Sequence, residues 1–218
     1  MTGLLIKDWK LLKNQGRFFI FVLLFGVLIM AVGSQSHSNF ITSYMTFIFS
    51  IFVLSTLSYD SYDNGMAFLM SLPVSRKTYV KEKYVFGLML TAGAWLVTVL
   101  ARQAIVYLRF SPAEGRELLQ MDMVYLLLVL IFVAYSLPVR IKYGAEKGQM
   151  ISAGILGAIC FGVFFLVGSQ AGRERLTAFL PRVPVDSWLL WAGTGLFCAI
   201  SWAVSFRISV RIMEKQEF

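Results

Sequence analysis

The hydrophobic pattern of the chain consists of long apolar runs separated by short polar stretches. Residues 18–59 contain no Asp, Glu, Lys or Arg, and this run is far longer than the ~20 residues that a helix needs to cross a bilayer. A polar stretch at 34–39 divides it into two candidate spans. Four more uncharged runs follow. The pattern predicts six membrane spans, at about 18–34, 40–59, 84–104, 122–139, 149–170 and 187–207.

The predicted fold is an all-α, multi-pass membrane domain that covers residues 1–218. Spans in lipid have to satisfy their backbone polar groups internally, so helices are expected. The longest predicted connections, 60–84, 102–122 and 173–186, are too short to bury a hydrophobic core of their own. We therefore expect no separate soluble domain.

Residues 3–16 show a different, amphipathic pattern. Leu5, Trp9 and Leu12 recur at i, i+4 and i+7, whereas Lys7 and Lys10 lie on other faces. This pattern is typical of a helix in the headgroup region, with Trp9, Lys7 and Lys10 as interfacial anchors that contact membrane lipids. The alternative is that the first span simply extends beyond the membrane.

Composition agrees with the membrane class, because 58% of the residues are hydrophobic and 15% are charged, against about a quarter charged in a soluble domain. The net charge of +8 could indicate a nucleic-acid partner. However, fourteen of the 20 Lys and Arg residues lie in the N-terminal, second, fourth and C-terminal connecting segments. The positive-inside rule explains this bias. We expect no nucleic-acid partner and two cytoplasmic termini.

The chain lacks the residue patterns on which most enzyme chemistry depends. There is no G-x-x-x-x-G-K-[ST] phosphate loop and no H-E-x-x-H pair, and His37 is the only histidine. We therefore expect a protein that is not an enzyme and binds no metal or cofactor itself. Arg102 lies roughly 27 Å along the third span, where it is expected to snorkel to the outer surface. Alternatively it contacts substrate at the outer mouth of a path. Asp122 is interpreted as a boundary of the fourth span.

The second connecting segment, "DNGMAFLMSLPVSRKTYVKEKY", predicts two helices with a sharp break. Met66–Leu72 has helix-forming residues, and Pro73 ends the element because it disfavours helix in the residue before it. Ser75 is a suitable N-cap for a new helix that begins at Arg76. A short Met- and Leu-rich helix in water is typical of a segment that binds a partner's groove. The alternative is a helix on the membrane surface.

The same stretch resembles a signature of a known family, the permease subunits of type-2 ABC exporters. The family pattern is S-L-P-[VI]-S-R-x-x-[YV]-V-x-x-K. The matching positions are Ser71, Leu72, Pro73, Val74, Ser75, Arg76, Tyr79, Val80 and Lys83. The opening "LIKD" is similar to the family's L-x-K-D helix. The fourth segment is similar to its P-x-x-[FY]-x-[FY]-G-x-x-K-G pattern, at Pro138, Tyr143, Gly144, Lys147 and Gly148.

The resemblance implies a division of labour in which a cytosolic ATPase holds ATP and Mg²⁺ and docks on this chain. The implied ATPase-coupling residues are Asp63, Gly65, Met66, Phe68, Leu69, Met70, Leu72, Pro73, Ser75 and Arg76. A second implied cytoplasmic contact comprises Tyr143, Gly144 and Lys147. The resemblance also implies a permease homodimer in a bacterial plasma membrane that exports an amphipathic peptide, as in the phenol-soluble modulin exporters. The alternatives are a membrane enzyme subunit and a peptide-sequestering immunity protein.

Overall fold

The computed structural model describes residues 2–32, 35–62, 65–109, 112–168 and 188–216. These residues form helices and no strands. The helices are α1 (Thr2–Asn14), α2 (Gly16–Val32), α3 (Gln35–Ser61), α4 (Gly65–Ser71), α5 (Arg76–Arg109), α6 (Pro112–Tyr143), α7 (Ala145–Gly168) and α8 (Trp188–Lys215). The all-helical class predicted from the sequence is confirmed for this part of the chain.

Several of these helices are long and apolar enough to cross a membrane. Four segments qualify by themselves: Phe40–Ser61, Arg76–Leu108, Asp122–Tyr143 and Ala192–Lys215. A fifth is added if the bent pair of α1 and α2 counts as one span. The chain is therefore a multi-pass membrane protein, and the number six stays a prediction. The predicted span at 149–170 corresponds to α7.

Two predicted connections are helical instead. The polar stretch predicted at 34–39 lies largely in α3, which begins at Gln35 and includes His37. In place of a loop at 102–122, α5 continues to Arg109 and α6 begins at Pro112. Proline suits the first turn of a helix, where its missing N–H would have no partner. Hydropathy marks where a helix leaves lipid, but the helix itself need not end there.

The amphipathic segment forms a helix of its own. α1 and α2 meet at an angle of 60°. Between them, the carbonyl of Gln15 accepts the N–H groups of Phe18 and Phe19 at 3.0 and 3.3 Å. The Gln15 side chain donates to the hydroxyl of Tyr59 at 2.7 Å. The first span therefore does not continue as a straight helix into residues 2–14; whether the bent pair crosses the membrane as one span is the alternative that stays open.

The core joins α1, α2, α3, α5, α6 and α8, and the outward faces remain apolar. Leu57, Val133 and Met213 are buried in the core cluster. In contrast, Phe21 is 67% and Leu108 81% exposed. Large exposed apolar faces of this kind are rare on soluble proteins and are expected where lipid covers the surface.

Pro138 lies inside α6 and frees a backbone carbonyl that another helix satisfies. A proline has no N–H, so the carbonyl of Ala134 loses its partner four residues on. The Ser205 hydroxyl of α8 donates to that carbonyl. The Tyr84 hydroxyl of α5 lies 2.5 Å from Ser205 Oγ and 2.8 Å from Ser209 Oγ. The proline thereby creates a polar link between three helices.

Two glycines shape the sharp turn from α6 to α7. Gly144 has φ +78°, the left-handed conformation that favours glycine just after a helix. Its N–H donates to the carbonyl of Arg140 at 3.0 Å. At Gly148, an added Cβ would lie 2.8 Å from Arg140 Cα. The close packing of these two helices therefore depends on glycine.

We expect Gly148→Ala to lower the free energy of unfolding by about 1–3 kcal/mol, because the methyl group forces the two backbones apart. SDS titration of the purified protein in mixed micelles measures the change. Gly154→Ala is the matched control on the same helix, since a Cβ there meets nothing within 4 Å. It should be neutral or slightly stabilising through helix propensity. Equal losses in both variants would contradict the close contact at Gly148.

Candidate functional site

Helix α4 has one side packed against the bundle and one side open. Met66, Leu69 and Met70 are partly buried and pack against the core cluster. Phe68 is 68% exposed, and Leu72, just after the helix, is 41% exposed. Helical spacing places Met66, Leu69, Met70 and Pro73 on one side; the first three share the side that faces the bundle, whereas Pro73 lies beyond the helix and is exposed. Phe68 and Leu72 are therefore the large apolar side chains that this segment exposes.

The start and the stop of α4 have local causes. A Cβ at Gly65 would lie 2.8 Å from the carbonyl oxygen of Asp60, so the chain folds back closely here. The Ser71 hydroxyl donates to the carbonyl of Phe68 at 2.7 Å. The helix ends at Ser71, so both Leu72 and Pro73 lie beyond it. Asp63 lies outside the described residues.

The restart at α5 follows the predicted cap. The hydroxyl of Ser75 accepts the N–H of Thr78 at 3.2 Å, and α5 begins at Arg76. The Arg76 guanidinium donates to the carbonyls of Met213 and Glu214, at 3.1 and 2.7 Å. These carbonyls end α8, where a cation is favourable. Arg76 thus ties the segment after α4 to the end of the last helix.

The second predicted contact lies at the same end of the bundle as α4. A cleft of about 290 Å³ separates α4 from the α6–α7 turn, and Met66, Ala67 and Gly144 line it. Tyr143 is 45% exposed and Lys147 is also exposed. The structure therefore brings the two predicted contact segments together, although they are far apart in sequence.

A buried ionic cluster lies next to the start of α4. We define it as Lys7 and Asp8 of α1, Asp60 of α3, and Glu82 and Lys83 of α5. Lys83 Nζ lies 2.5 Å from Asp8 Oδ2 and 2.8 Å from Asp60 Oδ2. Lys7 contacts Asp60, and its Nζ lies 3.3 Å from Asp8 Oδ1. Glu82 lies farther away, with its Oε2 3.8 Å from Lys83 Nζ. Lys83 is therefore the cation at the centre.

Two neutral groups form hydrogen bonds with part of the cluster. The hydroxyl of Tyr79 donates to Asp60 Oδ2 at 3.0 Å, and Lys83 Nζ donates to the Thr56 hydroxyl at 3.1 Å. The side chains of Asp8, Glu82 and Lys83 have no solvent exposure. A buried ion pair gains from such added hydrogen bonds, which offset part of its desolvation. The cluster therefore fixes α1, α3 and α5 to one another at the base of α4.

This cluster was not predicted from the sequence, although Lys7, Asp8 and Lys83 all lie in the motifs singled out there. Lys7, which was expected to be an interfacial anchor, contacts two carboxylates of the cluster. Trp9 and Lys10, the other expected anchors, are exposed. The available signal was the resemblance itself, since Asp8 belongs to the opening motif and Lys83 to the loop signature. Two motifs of one family that carry opposite charges are candidates for an ion pair.

Arg102 and Asp122 form a second buried ion pair, between α5 and α6. The side chains of both are fully buried. The Trp95 indole also donates to the backbone carbonyl of Asp122 at 2.9 Å. The expectation that Arg102 snorkels to a surface is therefore wrong. Asp122 does begin the candidate span Asp122–Tyr143, as predicted, and it also pairs with Arg102. The continuous helix from Pro112 onward brings Asp122 opposite Arg102.

The described residues contain no group of three His, Cys, Asp or Glu side chains that could hold a metal ion. The comparison with protein families is more informative. Residues 3–214 match the family model described as ABC-2 family transporter protein. The chain belongs to the ABC-2 transporter family. Membership of this family indicates a permease subunit.

Searches of curated proteins and of solved structures gave no match for this ABC-2 permease. The family match covers α1, α4, the α6–α7 turn and α8. The site described above therefore lies wholly within the part of the chain that defines the family.

Proposed function

We propose that this chain is the transmembrane subunit of an ATP-driven exporter whose cytosolic ATPase docks on α4. The observation that carries the proposal is the exposed apolar side of α4, formed by Phe68 and followed by Leu72. Apolar side chains presented on a short helix outside the spans are suited to a hydrophobic groove on another protein. Family membership supports an ATPase as that protein.

The contacts that hold α4 against the bundle suit this helix to transmit force. Its inner side packs on the core cluster through Met66, Leu69 and Met70. On the N-terminal side of α4, Asp60 is held in the ionic cluster by Lys83. On its C-terminal side, Arg76 contacts the end of α8. A push on α4 would therefore move α1, α3, α5 and α8 together rather than bend a loose connection. Coupling through two-state rearrangement requires such rigid elements.

The α6–α7 turn supplies the second part of the proposed docking surface. Tyr143 and Lys147 are exposed beside the cleft that Met66 and Gly144 line. The same proposal places both termini in the cytoplasm of a bacterial cell, with ATP and Mg²⁺ bound by the ATPase. The sequence resemblance adds a permease homodimer and an amphipathic peptide as cargo. Arg102 stays a candidate for the substrate path.

Phe68→Asp is expected to reduce co-purification of the ATPase with the permease by at least tenfold, because a charge would have to be buried in the partner's groove. Phe68 is the position of choice since it is exposed, whereas Leu69 and Met70 also support the bundle. The measurement is the ratio of ATPase to permease after affinity purification of the co-expressed pair.

Lys215→Asp is the matched control, because it places the same side chain at an exposed position on the last turn of α8. It should leave the ratio unchanged. Circular dichroism and gel filtration of both variants would show that the permease itself is intact. Full recovery of the ATPase with the Phe68→Asp permease would overturn the assignment of α4 as the docking helix.

A further inference from the structure

An apolar groove of about 790 Å³ lies between α1 and the bundle. Its wall on α5 repeats at helical spacing along one face. The residues of that wall are Phe86, Met89, Leu90, Gly93, Ala94 and Val97. Leu5, Trp9 and Leu12 of α1 form the opposite side, with Leu23 and Phe49 deeper in the bundle. A volume of this size is typical of small-molecule sites.

The groove has the length of one leaflet. From Phe86 to Val97 the α5 wall rises about 16 Å at 1.5 Å per residue. The hydrocarbon core of a bilayer is about 30 Å thick, so one leaflet provides about 15 Å. A single acyl chain that starts near α1 and runs along α5 would therefore fill the groove as far as the middle of the membrane.

Cations lie at the α1 end of the groove. Lys10 and Lys13 line it, and both also line a neighbouring depression of about 620 Å³ with Lys7, Leu11 and Asn14. Lys7 is engaged with Asp60 and Asp8. Lys10 and Lys13 are exposed, and neither forms an ion pair with a carboxylate in the ranges that the structure describes. Two cations above an apolar slot complement an anionic head group on an acyl chain.

We propose that this groove is a binding site for an anionic phospholipid, with its phosphate on Lys10 and Lys13 and one acyl chain along α5. Each cation near a membrane surface favours an anionic lipid by roughly fivefold, so the pair gives a preference on the order of 10- to 30-fold over a zwitterionic lipid. The site belongs to the permease alone and does not depend on the docking of an ATPase.

Gly93 offers a position at which a larger side chain can fill the groove without disturbing the packing of α5. Gly93 lines it, and a Cβ at Gly93 meets nothing within 4 Å. The space beside Gly93 is therefore that of the groove itself. A large side chain there would occupy the path of the acyl chain while leaving the helix packing intact.

The test measures the lipids that stay bound to the full-length permease. The protein is reconstituted in vesicles of equal parts phosphatidylglycerol and phosphatidylcholine and extracted in mild detergent, and retained lipid is counted by native mass spectrometry. We expect the parent protein to retain phosphatidylglycerol over phosphatidylcholine by 10-fold or more. The Lys10→Gln/Lys13→Gln variant should lower the ratio to near one, and Gly93→Phe should reduce retention of both lipids.

Two matched controls separate this site from general effects. Arg207→Gln/Arg211→Gln removes the same charge from exposed positions on α8, and Gly154→Phe adds the same ring where a Cβ also meets open space. Both should behave like the parent. Equal retention of the two lipids by the parent, or an unchanged ratio in the Lys10→Gln/Lys13→Gln variant, would overturn the proposal.

The competing occupant is a second copy of the chain. Met89 lines the groove and is 58% exposed, so Met89→Cys reports on a neighbour there. The variant is made with Cys160 and Cys198 replaced by Ser, and copper phenanthroline is added to the vesicles as the oxidant. Rapid disulfide-linked dimers, together with no phosphatidylglycerol retained by the parent, would assign the groove to an interface and refute the lipid site. Because the assay contains no ATPase, failure here and failure of Phe68→Asp are separate results.

Discussion

Lys83→Met is expected to destabilise the permease by about 3–5 kcal/mol, because it leaves Asp8 and Asp60 buried without their central cation. The methionine has a similar length, so the loss reports charge rather than volume. Three carboxylates of the cluster would then share Lys7 alone, and its side chain is 32% exposed. SDS titration in mixed micelles, or the yield of folded protein if the variant does not survive extraction, measures the effect.

Two further variants make this result specific. Lys81→Met changes an exposed lysine on the same helix and should stay within about 0.5 kcal/mol of the parent. Glu82→Gln removes the third carboxyl group of the cluster, whose two oxygens have no hydrogen-bond partner among the described residues, and leaves two carboxylates for two cations. We therefore expect a neutral or stabilising effect. A loss in Glu82→Gln as large as that in Lys83→Met would contradict the charge balance described for the cluster.

Arg102→Met is expected to have a loss of similar size, about 3–5 kcal/mol, since it strands the carboxylate of Asp122 inside the bundle. The double variant Arg102→Met/Asp122→Leu removes both charges and fills their space with apolar atoms. Replacing a whole buried pair in this way is often neutral or stabilising. The double variant should therefore recover most of the stability that the single variant loses.

A double-mutant cycle, with Asp122→Leu as the remaining corner, gives the coupling energy of the pair. Additive losses, with the double variant worse than either single one, would show that the two side chains act independently. Transport measured on the stable double variant would then test Arg102 as a substrate-path residue. Loss of transport in a fully stable protein would support that role, and normal transport would refute it.

Local sequence signals predicted the elements that depend on neighbouring residues. Pro73 and Ser75 placed the break between α4 and α5 correctly, because a proline stop and a serine cap act within one helical turn. The amphipathic spacing of Leu5, Trp9 and Leu12 likewise predicted a separate α1. The loop that hydropathy predicted at 102–122 is largely helical. Hydropathy indicates whether a segment lies in lipid or in water, and a helix can continue from one into the other.

Long-range partners could not be predicted from residue patterns. Asp8 and Lys83 are 75 residues apart, and each looks like an ordinary charge beside a membrane. The packing of α1 against α3 and α5 turns them into a buried pair. The pairing of Arg102 with Asp122 was missed for the same reason, because the two residues were assigned to the two ends of a predicted loop and their contact depends on how α5 packs against α6. The sequence also could not predict which side of α4 faces outward. Met66 faces the bundle and Phe68 faces outward, but both are apolar, so hydropathy does not distinguish the two sides.

The separation of Asp8 from Lys83 sets an order of events while the protein is being made. At about 5–20 residues per second, the ribosome adds Lys83 roughly 4–15 seconds after Asp8. Asp60 also precedes Lys83 in the sequence, so both carboxylates are synthesised before their central cation. Until Lys83 has been added, Lys7 is the one cation of the cluster in the growing chain. The ionic cluster that joins α1, α3 and α5 can therefore form only after Lys83 of α5 has been synthesised.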